Sequence, residues 1–126
     1  MAASSRCPCG SDRPYPACCE PLHDGVRTAT TAEELMRSRY SAFAKGLPDY
    51  LFRTWHPRTR PAEVTVDPDV SWRGLAISDV VAGGADDAQG EVEFVAHYVR
   101  ARQPETLRER SRFERRTGRW FYVEAV

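Results

Sequence analysis

The stretch Cys7-Pro8-Cys9-Gly10-Ser11-Asp12-Arg13-Pro14-Tyr15-Pro16-Ala17-Cys18-Cys19 contains all four cysteines of this 126-residue chain. So short a segment cannot bury a hydrophobic core, so its fold depends on what the four thiols bind. Four soft thiolates that converge on one point suit zinc, which takes four sulfur ligands in closed structural sites. We therefore predict a zinc knuckle with Cys7, Cys9, Cys18 and Cys19 as the ligands of Zn²⁺.

Two disulfides, or four free thiols, are the alternatives to this metal site. A bridge between the adjacent Cys18 and Cys19 requires a strained ring, and cross-links between the two pairs would join very little chain. His23 is an alternative nitrogen ligand, but four thiolates already complete a tetrahedron. The favoured interpretation makes His23 a solvent-exposed residue of the loop that follows.

Length and composition predict one folded domain beside the knuckle. The chain is 41% hydrophobic and contains three Trp, five Tyr and five Phe, which argues for a globule and against disorder. No apolar run approaches the 18 or more residues of a membrane span. The N-terminus has no signal-peptide pattern, so we expect a cytoplasmic protein, a location that suits reduced thiols.

Charge is balanced overall but unevenly distributed. The chain has 18 basic and 18 acidic residues, with an acidic segment over 61–93 and an arginine-rich segment over 94–126. Nucleic-acid binding by the basic segment is one interpretation. Acidic and basic strands that pair within one sheet require no such partner, so we expect no nucleic acid to bind there.

Two helices are predicted after the knuckle. Thr31-Ala-Glu-Glu34 is a capping box that begins a helix, which runs to Lys45 and stops at Gly46. Its apolar stripe consists of Met36, Tyr40, Phe43 and Leu47. A second helix is predicted to begin at Pro48 and to end at His56, before Pro57.

Beyond residue 60 the hydrophobic period changes from helical to alternating, which predicts strands. The expected strands cover residues 71–82, 91–102, 107–116 and 119–126, with turns at 83–90 and 103–106 and a two-residue hairpin at Thr117-Gly118. Leu75, Ile77 and Val81 are expected to lie on one face of the first strand. Helices followed by an antiparallel meander predict an α+β fold with helices packed on one face of the sheet.

A small ligand would bind between the sheet and the long helix. The candidate residues for such a pocket are Arg39, Tyr40, Trp55, His56, Trp72 and Glu109. Arg39 borders the buried stripe of the helix and Glu109 alternates with inward residues, so we predict a buried ion pair between them, which is a structural feature rather than a catalytic one. The sequence offers no nucleophile–base pair and no acidic dyad, which favours a non-enzymatic protein.

The cysteine segment Cys-Pro-Cys-Gly-Ser…Tyr…Cys-Cys resembles the SEC-C motif, the zinc knuckle at the C-terminal tail of the preprotein translocase motor ATPase. Further blocks resemble the bacterial YchJ-like family: Leu35-Met-Arg-Ser-Arg-Tyr-Ser-Ala-Phe43, Thr54-Trp-His-Pro57, Val92-Glu-Phe-Val95, Glu109-Arg-Ser-Arg-Phe113 and Trp120-Phe-Tyr122. The resemblance implies a cone-shaped domain of the nuclear transport factor 2-like type, a curved antiparallel sheet with helices packed on it. We assign residues 1–25 to the knuckle and 26–126 to this domain.

The resemblance also implies a function. In the translocase tail the similar knuckle contacts a chaperone and the ribosome, so we expect an adaptor for a protein partner, with Arg6, Arg13, Tyr15 and Arg27 at the contact surface. A purely structural knuckle, which only stabilises one end of the cone, is one alternative. A ligand-binding or enzymatic pocket in the cone is another. A redox sensor, in which oxidation of Cys18 and Cys19 releases zinc, is the last.

Overall fold

The computed structural model describes residues 6–126, so residues 1–5 of the predicted knuckle lie outside the described residues. Short helices precede a four-stranded antiparallel sheet of order β1-β2-β3-β4, which confirms the α+β prediction. The elements are a 3₁₀ turn at Tyr15–Ala17, α1 (Glu20–His23), α2 (Ala32–Lys45), α3 (Pro48–Arg53), β1 (Val70–Ala82), β2 (Gln89–Arg100), β3 (Gln103–Arg116) and β4 (Arg119–Ala125).

Helix α2 begins and ends as its capping residues predict. The Thr31 hydroxyl accepts a hydrogen bond from the Glu34 backbone N–H at 3.1 Å, and Gly46 ends the helix with φ +69°. Helix α3 ends at Arg53, three residues before the predicted end. The chain leaves the helix there because it pairs with β4: the His56 N–H donates to the Tyr122 carbonyl at 2.7 Å.

The turn between β2 and β3 lies at Ala101 and Arg102, not at 103–106 as predicted. Both residues have positive φ, at 53° and 66°, as a two-residue hairpin requires. Neither residue type is typical of that conformation, so the sequence carried no signal for this turn. Pro104 is typical of a turn, but it lies inside β3, where it pairs with Val99.

The hydrophobic core lies between α2 and the inner face of the sheet. It contains Ala29, Ala32, Leu35, Met36 and Tyr40 on the helical side and Val92, Phe94, Ala96, Phe113 and Trp120 on the sheet. Leu75 and Ile77 of β1 both pack against it, but Val81 is 50% exposed. A register shift between Ile77 and Asp79 reverses the alternation, so the prediction that Val81 shares a face with Leu75 and Ile77 is wrong.

Ion pairs cover the outer face of the sheet. Arg110 bridges Asp79, Glu91 and Glu93, and the neighbouring arginines pair with Glu93 and Glu124. The acidic and basic segments of the sequence therefore neutralise each other within one sheet. Within residues 6–126 no helix is long and apolar enough to cross a membrane.

Candidate metal centre

The loop from Cys7 to Cys19 folds back on itself so that its four sulfurs converge. The Cys7 N–H donates to the Arg13 carbonyl at 2.8 Å, which closes the loop. Gly10 turns the chain with φ +83°, and its Cα faces the backbone of β1 so closely that a Cβ there would lie 3.0 Å from the Leu75 carbonyl oxygen. Glycine therefore permits both the turn and the contact with the sheet.

The spacing of the sulfurs matches a tetrahedral metal ion. All four Sγ atoms lie within 4.8 Å of one another; Cys9 and Cys18 are 3.6 Å apart and Cys18 and Cys19 are 3.9 Å apart. Sulfurs at about 2.3 Å from a zinc ion form tetrahedral edges of about 3.8 Å, whereas a disulfide bond is about 2.05 Å long. The four residues fit a zinc ion, and none of them forms a disulfide in this structure.

Polar groups surround the buried sulfurs. The four cysteines are between 0% and 5% exposed. The Ser11 hydroxyl lies 3.1 Å from the Cys18 sulfur, and an Nη2–H of Arg13 donates to the same sulfur at 3.7 Å. The Arg13 guanidinium is therefore placed to offset negative charge on this sulfur. The Arg6 guanidinium instead donates to the Asp12 carbonyl.

Close packing and burial have two consequences for the chemistry of these thiols. The hydrogen bonds that the Cys19 thiol donates to the Cys7 and Cys9 sulfurs, followed by burial, raise its pKa. Four thiolates can therefore share this volume only around a cation. The sulfurs also present almost no surface to an oxidant, which disfavours the redox-sensor alternative.

His23 is buried, so the prediction of a solvent-exposed loop residue is wrong. Its side chain joins the knuckle to α2: Nδ1 lies 2.6 Å from the Tyr15 hydroxyl, and Nε2 lies 2.8 Å from the Ser38 carbonyl. A carbonyl only accepts, so Nε2 carries the proton and Nδ1 accepts from Tyr15. Burial lowers the pKa of His23, in agreement with this neutral form. Both nitrogens are thus occupied by protein groups.

Replacing His23 with alanine is expected to lower the free energy of unfolding by about 2 kcal/mol, because two hydrogen bonds and a buried ring are lost. The zinc content should not change, because His23 is not a ligand in this arrangement. Urea denaturation and elemental analysis of the same preparation measure both quantities. His97→Ala, at an exposed histidine, is the control. Loss of zinc from His23→Ala alone would identify His23 as a ligand after all.

Further contacts fix the knuckle to α2. The Arg37 guanidinium donates to the Cys9 carbonyl at 2.7 Å, and the Ser41 hydroxyl lies 3.3 Å from the Cys7 sulfur. Ser38, Ser41 and Ala42 are fully buried, which lets the knuckle and α3 approach the helix closely. The apolar stripe predicted for this helix, which consists of Met36, Tyr40, Phe43 and Leu47, does not include this face. The signal was the spacing of small residues at positions i, i+3 and i+4.

A second candidate site is a cavity of about 230 Å³ between α2 and the inner face of the sheet. Five of the six predicted pocket residues line it, namely Arg39, Tyr40, Trp55, Trp72 and Glu109. His56 does not. Its backbone is tied to β4, Nδ1 accepts from the Arg58 N–H at 3.0 Å, and Nε2 lies 3.5 Å from Glu114.

The predicted ion pair between Arg39 and Glu109 is wrong. Among the described residues, no carboxylate lies within 4 Å of the Arg39 guanidinium, which donates to the Leu51 carbonyl and to the Thr54 hydroxyl. The Glu109 carboxylate accepts from the Ser111 hydroxyl at 3.2 Å instead. The rings of Trp55, which follows α3, and of Tyr122 in β4 lie against the arginine. These long-range contacts cannot be read from the alternation of β3.

Comparisons with known proteins agree with this architecture. Residues 31–125 match the family described as "YchJ, middle NTF2-like domain". A UPF0225 protein of Streptomyces coelicolor is 50% identical over 118 residues, which cover 94% of this chain and 92% of that protein. A UPF0225 protein of Deinococcus radiodurans is 50% identical over 122 residues, which cover 95% and 88%.

Two solved structures have the same fold. The solution structure of a SEC-C motif containing protein from Rhodopseudomonas palustris superposes with a TM-score of 0.84 at 32% identity, covering 97% of this chain and 98% of the other. The crystal structure of a SEC-C motif containing protein from Psychrobacter arcticus gives 0.79 at 26% identity, covering 95% and 81%.

Proposed function

The chain belongs to the YchJ-like family, with a nuclear transport factor 2-like domain, and from this premise we propose that it is a zinc-binding, non-enzymatic adaptor. In this proposal the knuckle, residues 1–25, holds Zn²⁺ and contacts a protein partner, and residues 26–126 form the body that carries it. The observation behind the proposal is the buried cluster of four thiols with the spacing of a tetrahedral site. Four protein ligands leave no open coordination position for a substrate, which favours a structural ion over a catalytic one.

The attachment of the knuckle to α2 also supports an adaptor. Cys7, Cys9 and His23 each contact a residue of α2, and Arg53 of α3 donates to the His23 carbonyl at 2.6 Å. A surface held in this way loses little conformational entropy when a partner binds. The knuckle is therefore better suited to act as a preformed binding surface than to fold when it binds.

Charged side chains at the knuckle surface support a proposal for the chemistry of the partner. Arg6 and Arg13 are exposed, and Lys45 lies with its Nζ 4.2 Å from the Tyr15 ring centroid. Tyr15 is half-buried and its hydroxyl is hydrogen-bonded to His23, so this side chain supports the surface rather than projecting from it. Arg27 pairs with Glu34 at the start of α2. We propose an acidic protein surface as the partner, in the setting of protein export, a chaperone or the ribosome.

Replacing Arg6 and Arg13 together with alanine is expected to weaken partner binding at least about tenfold, because two charge-assisted contacts are lost. Crosslinking and co-sedimentation with ribosomes and export chaperones, at low and high salt, measure the effect. The zinc content of the variant must equal that of the unchanged protein, since Arg13 contacts a cysteine sulfur.

The matched control replaces Arg116 and Arg119, which are exposed at the β3–β4 hairpin on the sheet. The adaptor proposal requires that the knuckle variant lose partners that the hairpin variant keeps. If both variants and the unchanged protein recover the same proteins, the knuckle serves only to stabilise the fold.

A further inference from the structure

The cavity between α2 and the sheet has mainly apolar walls. Its volume is about 230 Å³. Apolar side chains form most of its surface, among them Met36, Phe43, Trp72, Phe94 and Leu107. Leu107 is 37% exposed, so the cavity opens to solvent beside it.

A buried cation lies in this apolar wall, and no carboxylate of residues 6–126 lies within 4 Å of it. Arg39 is 4% exposed, and its two hydrogen bonds, both from Nη1, go to the Leu51 carbonyl at 2.9 Å and to the Thr54 hydroxyl at 2.7 Å. These neutral acceptors occupy two of the five guanidinium N–H groups. Burial lowers the pKa of Arg39 to about 10, which still leaves it charged at neutral pH. Buried charges are normally paired, so this one is unusual.

Aromatic groups hold the guanidinium in place. Its central carbon lies 4.6 Å from the ring centroid of Tyr122 and 5.3 Å from that of Trp55. Such contacts fix the plane of the guanidinium and leave its N–H edge as the part that binds an anion. Trp55 lines the same cavity, and its Nε1–H is buried without a hydrogen-bond partner in the described part of the chain. A ligand with acceptor oxygens would satisfy both donors.

We propose that this cavity binds a small organic monocarboxylate with an apolar or aromatic body. Its carboxylate pairs with Arg39, and its body packs against Tyr40, Phe43 and Trp72. Glu109 also lines the cavity, and its negative charge would repel a second acidic group. The site therefore selects monocarboxylates over diacids and phosphate esters.

The test uses a panel of phenyl- and alkyl-substituted acids of six to ten carbons, such as phenylpropionate, each beside its neutral amide. Shifts of the indole N–H resonances report binding, because Trp55 and Trp72 line the cavity and Trp120 does not. We expect at least one acid to bind about tenfold more tightly than its amide, and to shift the Trp55 and Trp72 signals. If no acid binds more tightly than its amide, the proposal is wrong.

Two variants separate recognition from folding. Arg39→Met keeps much of the side-chain volume, and replacing a buried charge with an apolar residue often preserves stability. This variant should abolish the preference for the acid over its amide. Leu107→Trp narrows the opening at a partly exposed position and should weaken both the acid and the amide. Arg116→Met, at the exposed hairpin, should change neither. A preference for the acid that survives Arg39→Met would overturn the proposal.

Discussion

Replacing Cys9 with serine is expected to abolish zinc binding and to unfold the knuckle. The Cys9 sulfur is fully buried and 3.6 Å from that of Cys18, and a serine hydroxyl is a poor substitute for a soft thiolate at such a site. Because metal binding contributes directly to folding, the free energy of unfolding should fall by about 4 kcal/mol when free zinc is a thousand times its Kd.

Elemental analysis gives the zinc content of the Cys9→Ser variant, and denaturation with and without added zinc gives its stability. The unchanged protein should contain one ion per chain and should gain stability with zinc, whereas the variant should show neither. Ser11→Ala is the matched control, because Ser11 lies in the same loop and touches the Cys18 sulfur but offers no thiolate. A Cys9→Ser variant that keeps one tightly bound zinc would contradict the tetrahedral site.

The aromatic core of the sheet should survive this change. Residues of the cysteine cluster pack with Tyr15, while the main core between α2 and the sheet is a separate cluster. The knuckle is joined to α2 by hydrogen bonds and by Leu22, which shares a third buried cluster with Ala42, so its loss removes contacts outside the main core. We expect the tryptophan environment of the sheet to stay close to that of the unchanged protein in Cys9→Ser.

Local signals in the sequence predicted the elements whose causes are local. The capping box at Thr31, the glycine at the end of α2 and the hairpin at Thr117-Gly118 each depend on a few adjacent residues, and each was confirmed. The turn at Ala101 and Arg102 was missed because the strand pairing of β2 with β3, rather than turn residues, determines it. Tertiary pairing outweighs local propensity there.

In the candidate site, too, the features with local causes were predicted and those with long-range causes were not. The thiol cluster was predicted because its four ligands lie within one short segment. The burial of His23 results from contact with Ser38, fifteen residues away, and the surroundings of Arg39 come from α3 and β4. Hydrophobic periodicity identifies the face on which such a residue lies, but not the groups that approach it from other elements.

Gly90 is a further residue whose surroundings come from distant elements. The sequence pattern predicts one loop that contains Gly83 and Gly90, but Gly90 lies within β2, between Ala82 and Phe113 of the neighbouring strands. The two glycines pack backbone against backbone below the start of α2, and the Ala32 N–H donates to the Gly83 carbonyl at 2.9 Å. This contact attaches the helix to the sheet.

Replacing Gly90 with alanine is therefore expected to destabilise the protein by about 3 kcal/mol, or roughly 10 °C in Tm. A Cβ at Gly90 would lie 2.5 Å from the Gly83 Cα and 2.8 Å from the Gly83 nitrogen, so backbone atoms must move. Gly84→Ala is the control, since its Cβ would meet only the Asp87 carboxylate at 3.5 Å, and should change stability by less than about 0.5 kcal/mol. Equal Tm values for the two variants would mean that the backbones of Gly83 and Gly90 can move apart without loss of stability. The contact between them would then not hold α2 on the sheet.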